Sequence, residues 1–128
     1  MNRDISPLIR KDTVMFEYDV HDMARAVDWY REVLGFDIVF QGGDCHTEFA
    51  LPVQGVRLAL SLVDENKAIR KAARLFIRTD DIYPVEAYLK GKGVKTKPIE
   101  NVDDVVLILW VEDSEGNHFA FEQWLKRA

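Results

Sequence analysis

Glu17 and Asp19 alternate along one strand-like segment of the chain, Arg74, Phe76 and Arg78 along a second, and Glu122 and Trp124 along a third. Successive side chains of a strand point to opposite faces, so each set shares a face. Three carboxylates, two guanidinium groups and several rings support three kinds of chemistry. Glu17 and Glu122 can neutralise Arg74 and Arg78, because charges taken out of water need partners. Carboxylates left unpaired can join the rings in gripping a flat ligand that carries a positive group. Glu17 and Glu122 can also act as an acid–base pair or as metal ligands, although nothing in their spacing requires it. His21, His46 and His118 have no spacing that resembles a metal motif, and His21 and His118 read as solvated residues beside turns. Cys45 is the only cysteine, which excludes a disulfide within the chain, and a catalytic thiolate is not expected of it.

The elements that position these residues repeat. Asp113-Ser114-Glu115-Gly116-Asn117-His118-Phe119-Ala120-Phe121 lies 61 positions after Pro52-Val53-Gln54-Gly55-Val56-Arg57-Leu58-Ala59-Leu60. Both read as a turn ending in Gly and then a strand of apolar and small residues. An aromatic precedes each turn by three residues, Phe49 in one and Trp110 in the other. Val20-His21-Asp22-Met23-Ala24 and Thr79-Asp80-Asp81-Ile82-Tyr83 both open a helix, 59 positions apart. A repeat of about half the chain makes each copy one supersecondary unit.

Periodicity fills in the units. Alternation predicts a strand over Thr13 to Val20. Asp22 caps a helix from Met23 to Leu34 that Gly35 ends. Strands follow at Phe36 to Phe40, Cys45 to Leu51 and Val56 to Val63. Asp64 to Ala72 is charged, has no deep apolar stripe, and reads as a linker. The second unit has a strand at Ala73 to Thr79 and a helix from Ile82 to Lys90 capped by Asp81, with Pro84 in its first turn. Its remaining strands are Val94 to Lys97, Val105 to Val111 and His118 to Trp124. Trp29 and Tyr30 fit packing of the first helix against a sheet. His46 falls on the face opposite Phe49, which leaves it outside a cleft lined by Phe49.

The chain has 128 residues, enough for one domain with a real core. Hydrophobic residues make up 48% and charged residues 30%, an ordinary balance for a globular domain. A net charge of -5 argues against nucleic acid as a partner. No apolar run approaches the roughly 20 residues that span a bilayer. Met1 to Asp12 is polar and charged rather than a signal peptide, so a cytoplasmic protein is expected.

The pieces Val20-x-Asp22-Met23-x-Arg25-Ala26-x-x-x-Tyr30-x-x-x-Leu34-Gly35-Phe36 and Asp113-x-x-Gly116-Asn117 resemble the vicinal oxygen chelate superfamily. That superfamily includes glyoxalase I, extradiol dioxygenases and the fosfomycin- and bleomycin-resistance proteins. The resemblance covers roughly Thr13 to Trp124. It implies an α+β fold of two tandem βαβββ modules, about 13–63 and about 73–124, within a single domain 1–128. Their curled mixed sheets form a cleft, within one chain or across a homodimer.

The resemblance also implies four places for metal ligands, which here hold Met15, Ala59, Arg74 and Ala120. Methyl groups cannot ligate, a thioether is a poor ligand for hard cations, and a guanidinium repels them. No metal, cofactor or catalytic residue is therefore assigned. The expected ligand-binding set is Glu17, Asp19, Phe49, Arg74, Phe76, Arg78, Trp110, Glu122 and Trp124, with Phe49 and Trp110 where the superfamily places pocket-lining aromatics. Arg74 is expected to pair with Glu17 or Glu122. The function implied is that of the bleomycin-resistance branch, metal-free binding of a planar, cationic small molecule by a homodimer. The alternative is a glyoxalase-like lyase or a dioxygenase with displaced ligands, or a metal-free isomerase.

Overall fold

The computed structural model describes residues 5–126. After a short 3-10 turn at Ser6–Leu8, the first module runs β1 (Val14–Val20), α1 (Met23–Glu32), β2 (Asp37–Gly42), β3 (His46–Ala50) and β4 (Val56–Leu62). The second runs β5 (Phe76–Arg78), α2 (Ile82–Gly91), β6 (Glu100–Val102), β7 (Val106–Glu112) and β8 (His118–Trp124). Each module forms one open four-stranded sheet, in the orders β1-β4-β3-β2 and β5-β8-β7-β6. In both sheets the first strand pairs in parallel with the last, and the other pairs are antiparallel. This is the α+β arrangement of tandem βαβββ modules expected from the repeat.

Local chemistry sets the helix starts. The Asp22 carboxylate accepts from the Arg25 N–H at 3.0 Å, and the Asp81 carboxylate accepts from the Tyr83 N–H at 3.2 Å. Each satisfies a backbone donor that has no partner in the first turn. The first helix stops at Glu32, short of Leu34, and Gly35 then turns with φ 72°. Gly55 and Gly116, 61 positions apart, both end their turns at positive φ (77° and 86°), where a side chain would be strained.

Two strands differ from expectation. Ala73 to Thr79 is regular only over Phe76–Arg78. Val94 to Lys97 makes only an isolated bridge, Thr96 to Val111, although Lys97 N–H still bonds Trp110 O. Pro98 has no N–H to extend that ladder, and pairing resumes at β6.

One core serves both modules. Tyr18, Phe49, Leu58 and Leu60 from the first module join Leu89, Leu109, Val111 and Phe119 from the second in a single buried cluster. Trp29 and Tyr30 hold this junction from α1, Trp29 meeting Tyr30 and Phe119 edge-on with ring centroids 4.9 Å and 6.3 Å away.

A polar network fixes the modules to each other. The Tyr30 hydroxyl donates to the buried Asp113 carboxylate at 2.6 Å. The same carboxylate accepts from the Glu115 and Asn117 N–H groups, both at 2.8 Å, and from the Asn117 side chain. Asn117 also donates to the Asp19 carbonyl at 3.0 Å. Glu115 accepts two bonds from the Arg25 guanidinium and one from the Asp22 N–H. The turn after β7 is thus bonded to β1 and α1 of the other module.

Asp113→Ala strands a buried hydroxyl, an amide and two backbone donors. Each buried donor left unpaired costs about 1–3 kcal/mol, so the variant should lose at least about 3 kcal/mol in a urea titration. Tyr30→Phe removes a single donor and should lose about 1–2 kcal/mol.

Candidate functional site

Strand register decides which side chains share a face. In the first sheet Glu17 pairs with Ala59 and Ala59 with Glu48, while Tyr18 pairs with Leu60 and Phe49 with Leu58. Tyr18, Leu58, Leu60 and Phe49 form the core face. The opposite, open face carries Met15, Glu17 and Asp19 from β1, Arg57, Ala59 and Ser61 from β4, and His46 and Glu48 from β3. In the second sheet Phe76, Ala120 and Trp110 lie side by side on three strands, followed by Arg78, Glu122 and Ile108. Trp124, on the same face, pairs with Val106.

Two expected placements are corrected by this register. Phe49 does not line the open face: it is fully buried and packs beside Tyr30, with ring centroids 5.7 Å apart. The structural mate of Trp110 is Glu48, because each pairs directly with the alanine of its last strand. The hairpin of the first module encloses residues 51–56 between the paired Ala50 and Arg57, one more than the residues 113–117 between Glu112 and His118. A shift of one residue in a strand moves every side chain to the other face. His46, left outside the cleft when Phe49 was placed in it, comes onto the open face for the same reason.

The open face of the first module holds a cluster that sequence reading missed. His46 Nε2 lies 2.9 Å from one oxygen of Glu48, and Arg57 donates to the other at 3.0 Å. The bond with His46 is the main influence holding the Glu48 carboxyl below its usual range; partial burial opposes it and Arg57 assists. Counting across the hairpin from its closing pair, rather than by the repeat shift, would have found this cluster. Asp19, expected to meet a ligand, is buried and engaged elsewhere: the Arg70 guanidinium donates to both its oxygens at 2.8 Å, as does the Arg70 N–H to one. That pairing lowers the Asp19 pKa and ties the linker to β1. Glu17 is exposed and forms no ion pair among the described residues.

The open face of the second module is aromatic and cationic. Phe76 meets Trp110 edge-on at 5.4 Å. The Arg74 guanidinium lies 5.5 Å from the Trp110 ring and 6.0 Å from Phe76. Rings, rather than Glu17 or Glu122, are what hold Arg74, which corrects the expected ion pair. Arg74 is exposed, so it has no need of a carboxylate to offset burial. Glu122 instead lies 3.6 Å from Arg78, whose guanidinium also covers the Trp124 ring at 5.4 Å. The Trp124 Nε1–H is buried with no acceptor among the described residues. On these faces no ion pair or ring contact of the described residues joins one sheet to the other.

Comparison with known proteins interprets this architecture. A family model described as Glyoxalase/Bleomycin resistance protein/Dioxygenase superfamily matches residues 14–121. The chain belongs to this superfamily. Among solved structures, the TnmS3 antibiotic binding protein from Streptomyces sp. CB03234 is similar, at 25% identity and TM-score 0.73 over 90% of this chain and 97% of that one. A superfamily member from Sphaerobacter thermophilus DSM 20745 matches at 24% identity and TM-score 0.73, covering 91% and 98%. Lactoylglutathione lyase from Agrobacterium tumefaciens matches at 14% identity and TM-score 0.69, covering 89% and 94%. No curated protein sequence matches the chain.

Glyoxalase-superfamily enzymes hold a divalent metal in the cleft, and the residues present here do not fit one. Ala59 and Ala120 are fully buried and offer only methyl groups. Met15 offers a thioether and Arg74 a cation. Among the described residues no three His, Cys, Asp or Glu side chains are grouped to hold a metal ion. No helix among them is long and apolar enough to cross a membrane.

Core and face placement separate two aromatics by their stability effects. Phe49→Ala should cost about 3–5 kcal/mol, as large-to-small changes in a core do. Trp110→Ala should cost less than half as much. Equal losses in thermal unfolding would contradict the register.

Proposed function

We propose that the chain is a metal-independent small-molecule-binding protein that holds a planar ligand against Trp110, Phe76 and Trp124. The observation that carries this reading is the open face of the second module, with rings and guanidinium groups where an enzyme of the superfamily would need ligands. Offset or edge-on contacts between aromatic groups add about 0.5–1.5 kcal/mol beyond area burial, which favours a flat ligand over an aliphatic one. Glu17, exposed on the open face of the first module, forms no ion pair among the described residues, so a positive group on the ligand has a partner there.

Two copies complete the cleft in this reading. The first-module face of one copy carries the uncommitted carboxylate Glu17, and the second-module face of the other carries Arg74, held only by rings. Met15, Phe40 and Phe76 are large apolar residues exposed in the single chain, from 39% to 50%. Closing one face on the other covers apolar surface on both. The similarity to TnmS3 supports antibiotic-like ligands as the class to test. The lyase or dioxygenase alternative needs displaced ligands such as Glu17 and Glu122 to join others around one ion, and among the described residues of the single chain no three His, Cys, Asp or Glu side chains are so grouped.

Intrinsic fluorescence tests the reading. Cationic heteroaromatic compounds, glycopeptide drugs included, should quench Trp110 in a saturable way, and Trp110→Ala should weaken binding about tenfold. Light scattering should give about twice the chain mass of 14.8 kDa. A monomer across the micromolar range contradicts the shared cleft. Absence of quenching together with turnover of methylglyoxal–thiol adducts or catechols contradicts the binding role.

A further inference from the structure

A cavity of about 330 Å³ opens between β1, the linker and the start of β8. Tyr18 forms part of its wall, with carbon surface from Ile69 and Ala72 and cations from Arg70, Lys71 and Arg74. Tyr18 is 1% exposed, and among the described residues its hydroxyl proton has no acceptor. A buried phenol normally finds one. Burial, reinforced by the Asp113 charge and opposed by the Leu75 backbone, pushes the Tyr18 pKa up to about 12. The phenol therefore keeps its proton at neutral pH, and a backbone N–H can give that oxygen a bond but cannot accept its proton.

The charges around the cavity divide into committed and free. Arg70 is spent on Asp19 through both oxygens, and Asp113 is surrounded by its own donors. His118, also on the wall, lies 3.6 Å from Glu112, which Lys95 also approaches at 3.6 Å. Lys71 and Arg74 form no ion pair among the described residues. What remains is a buried donor without an acceptor, two cations without a carboxylate partner among the described residues, and an apolar wall.

We propose that this cavity binds a small organic carboxylate, whose apolar body packs on Ile69 and Ala72 while its oxygens accept from the Tyr18 O–H and face Lys71 and Arg74. The site is distinct from the aromatic face, with Arg74 common to both. Ionic groups on the ligand gain most where donors are buried and preorganised.

Isothermal titration of the full chain with benzoate, benzyl alcohol and inorganic phosphate tests this. Benzoate should saturate at one site per chain, and both comparison compounds should bind at least about tenfold more weakly. Tyr18→Phe should lower benzoate affinity about fivefold or more while circular dichroism shows the fold retained. Phosphate binding as tight as benzoate would reduce the site to diffuse charge attraction and overturn the proposal. So would benzyl alcohol binding as tightly, an unchanged benzoate affinity in Tyr18→Phe, or the absence of benzoate binding.

Discussion

The buried carboxylate of Asp113 is the point on which the two modules turn. Burial raises its pKa, and the Tyr30 hydroxyl, two backbone N–H groups and the Asn117 amide act against that rise. A charge in that position is tolerable only with such a set of donors. Because the donors come from both α1 and the turn itself, satisfying the charge also docks the second module on the first. Glu115 follows the same logic nearer the surface. Burial works against its ionised form, and bonds from Arg25, Ser114 and the Asp22 N–H outweigh it, so its pKa is lowered. The corresponding turn of the first module, Pro52–Gly55, has no carboxylate. Where Leu51, Pro52 and Val53 face Val85, Tyr88 and Phe121, an apolar cavity of about 350 Å³ remains. The repeat is therefore symmetric in its elements and asymmetric in how its turns are held.

Docking through the helix side leaves one face of each sheet uncovered. The faces differ in chemistry. That of the first module is ionic, with Glu48 shared between His46 and Arg57 and Asp19 closed off by Arg70. That of the second is aromatic, with its guanidinium groups laid on rings. In the proposed reading the two faces together hold a flat molecule that carries charge at its edge. Guanidinium over an indole still presents its N–H groups outward, so Arg74 can hold a ring and contact a ligand at once.

The element order, the caps at Asp22 and Asp81 and the turn glycines were legible because each depends on residues adjacent in sequence. The helix-side packing of Trp29 and Tyr30 was legible from helical spacing. Phe49 was misplaced because the repeat shift was carried through a hairpin that differs by one residue between modules. A shift inferred from sequence does not see that difference, and the strand period of two turns a single residue into the opposite face. Arg74 was given a carboxylate partner on the assumption that it is buried. Its exposure removes the need, and no pattern in the sequence reports exposure at the edge of a short strand such as β5. Arg70 was read only as part of a linker, because its partner Asp19 lies 51 positions away.

Metal independence is the claim on which the functional account rests, and ligand binding under chelation tests it most directly. A planar cationic ligand that quenches the protein should be titrated calorimetrically twice, once after exhaustive EDTA treatment and once after loading with nickel or zinc. The account predicts the same affinity and stoichiometry in both. Binding that appears only in the metal-loaded protein would contradict it.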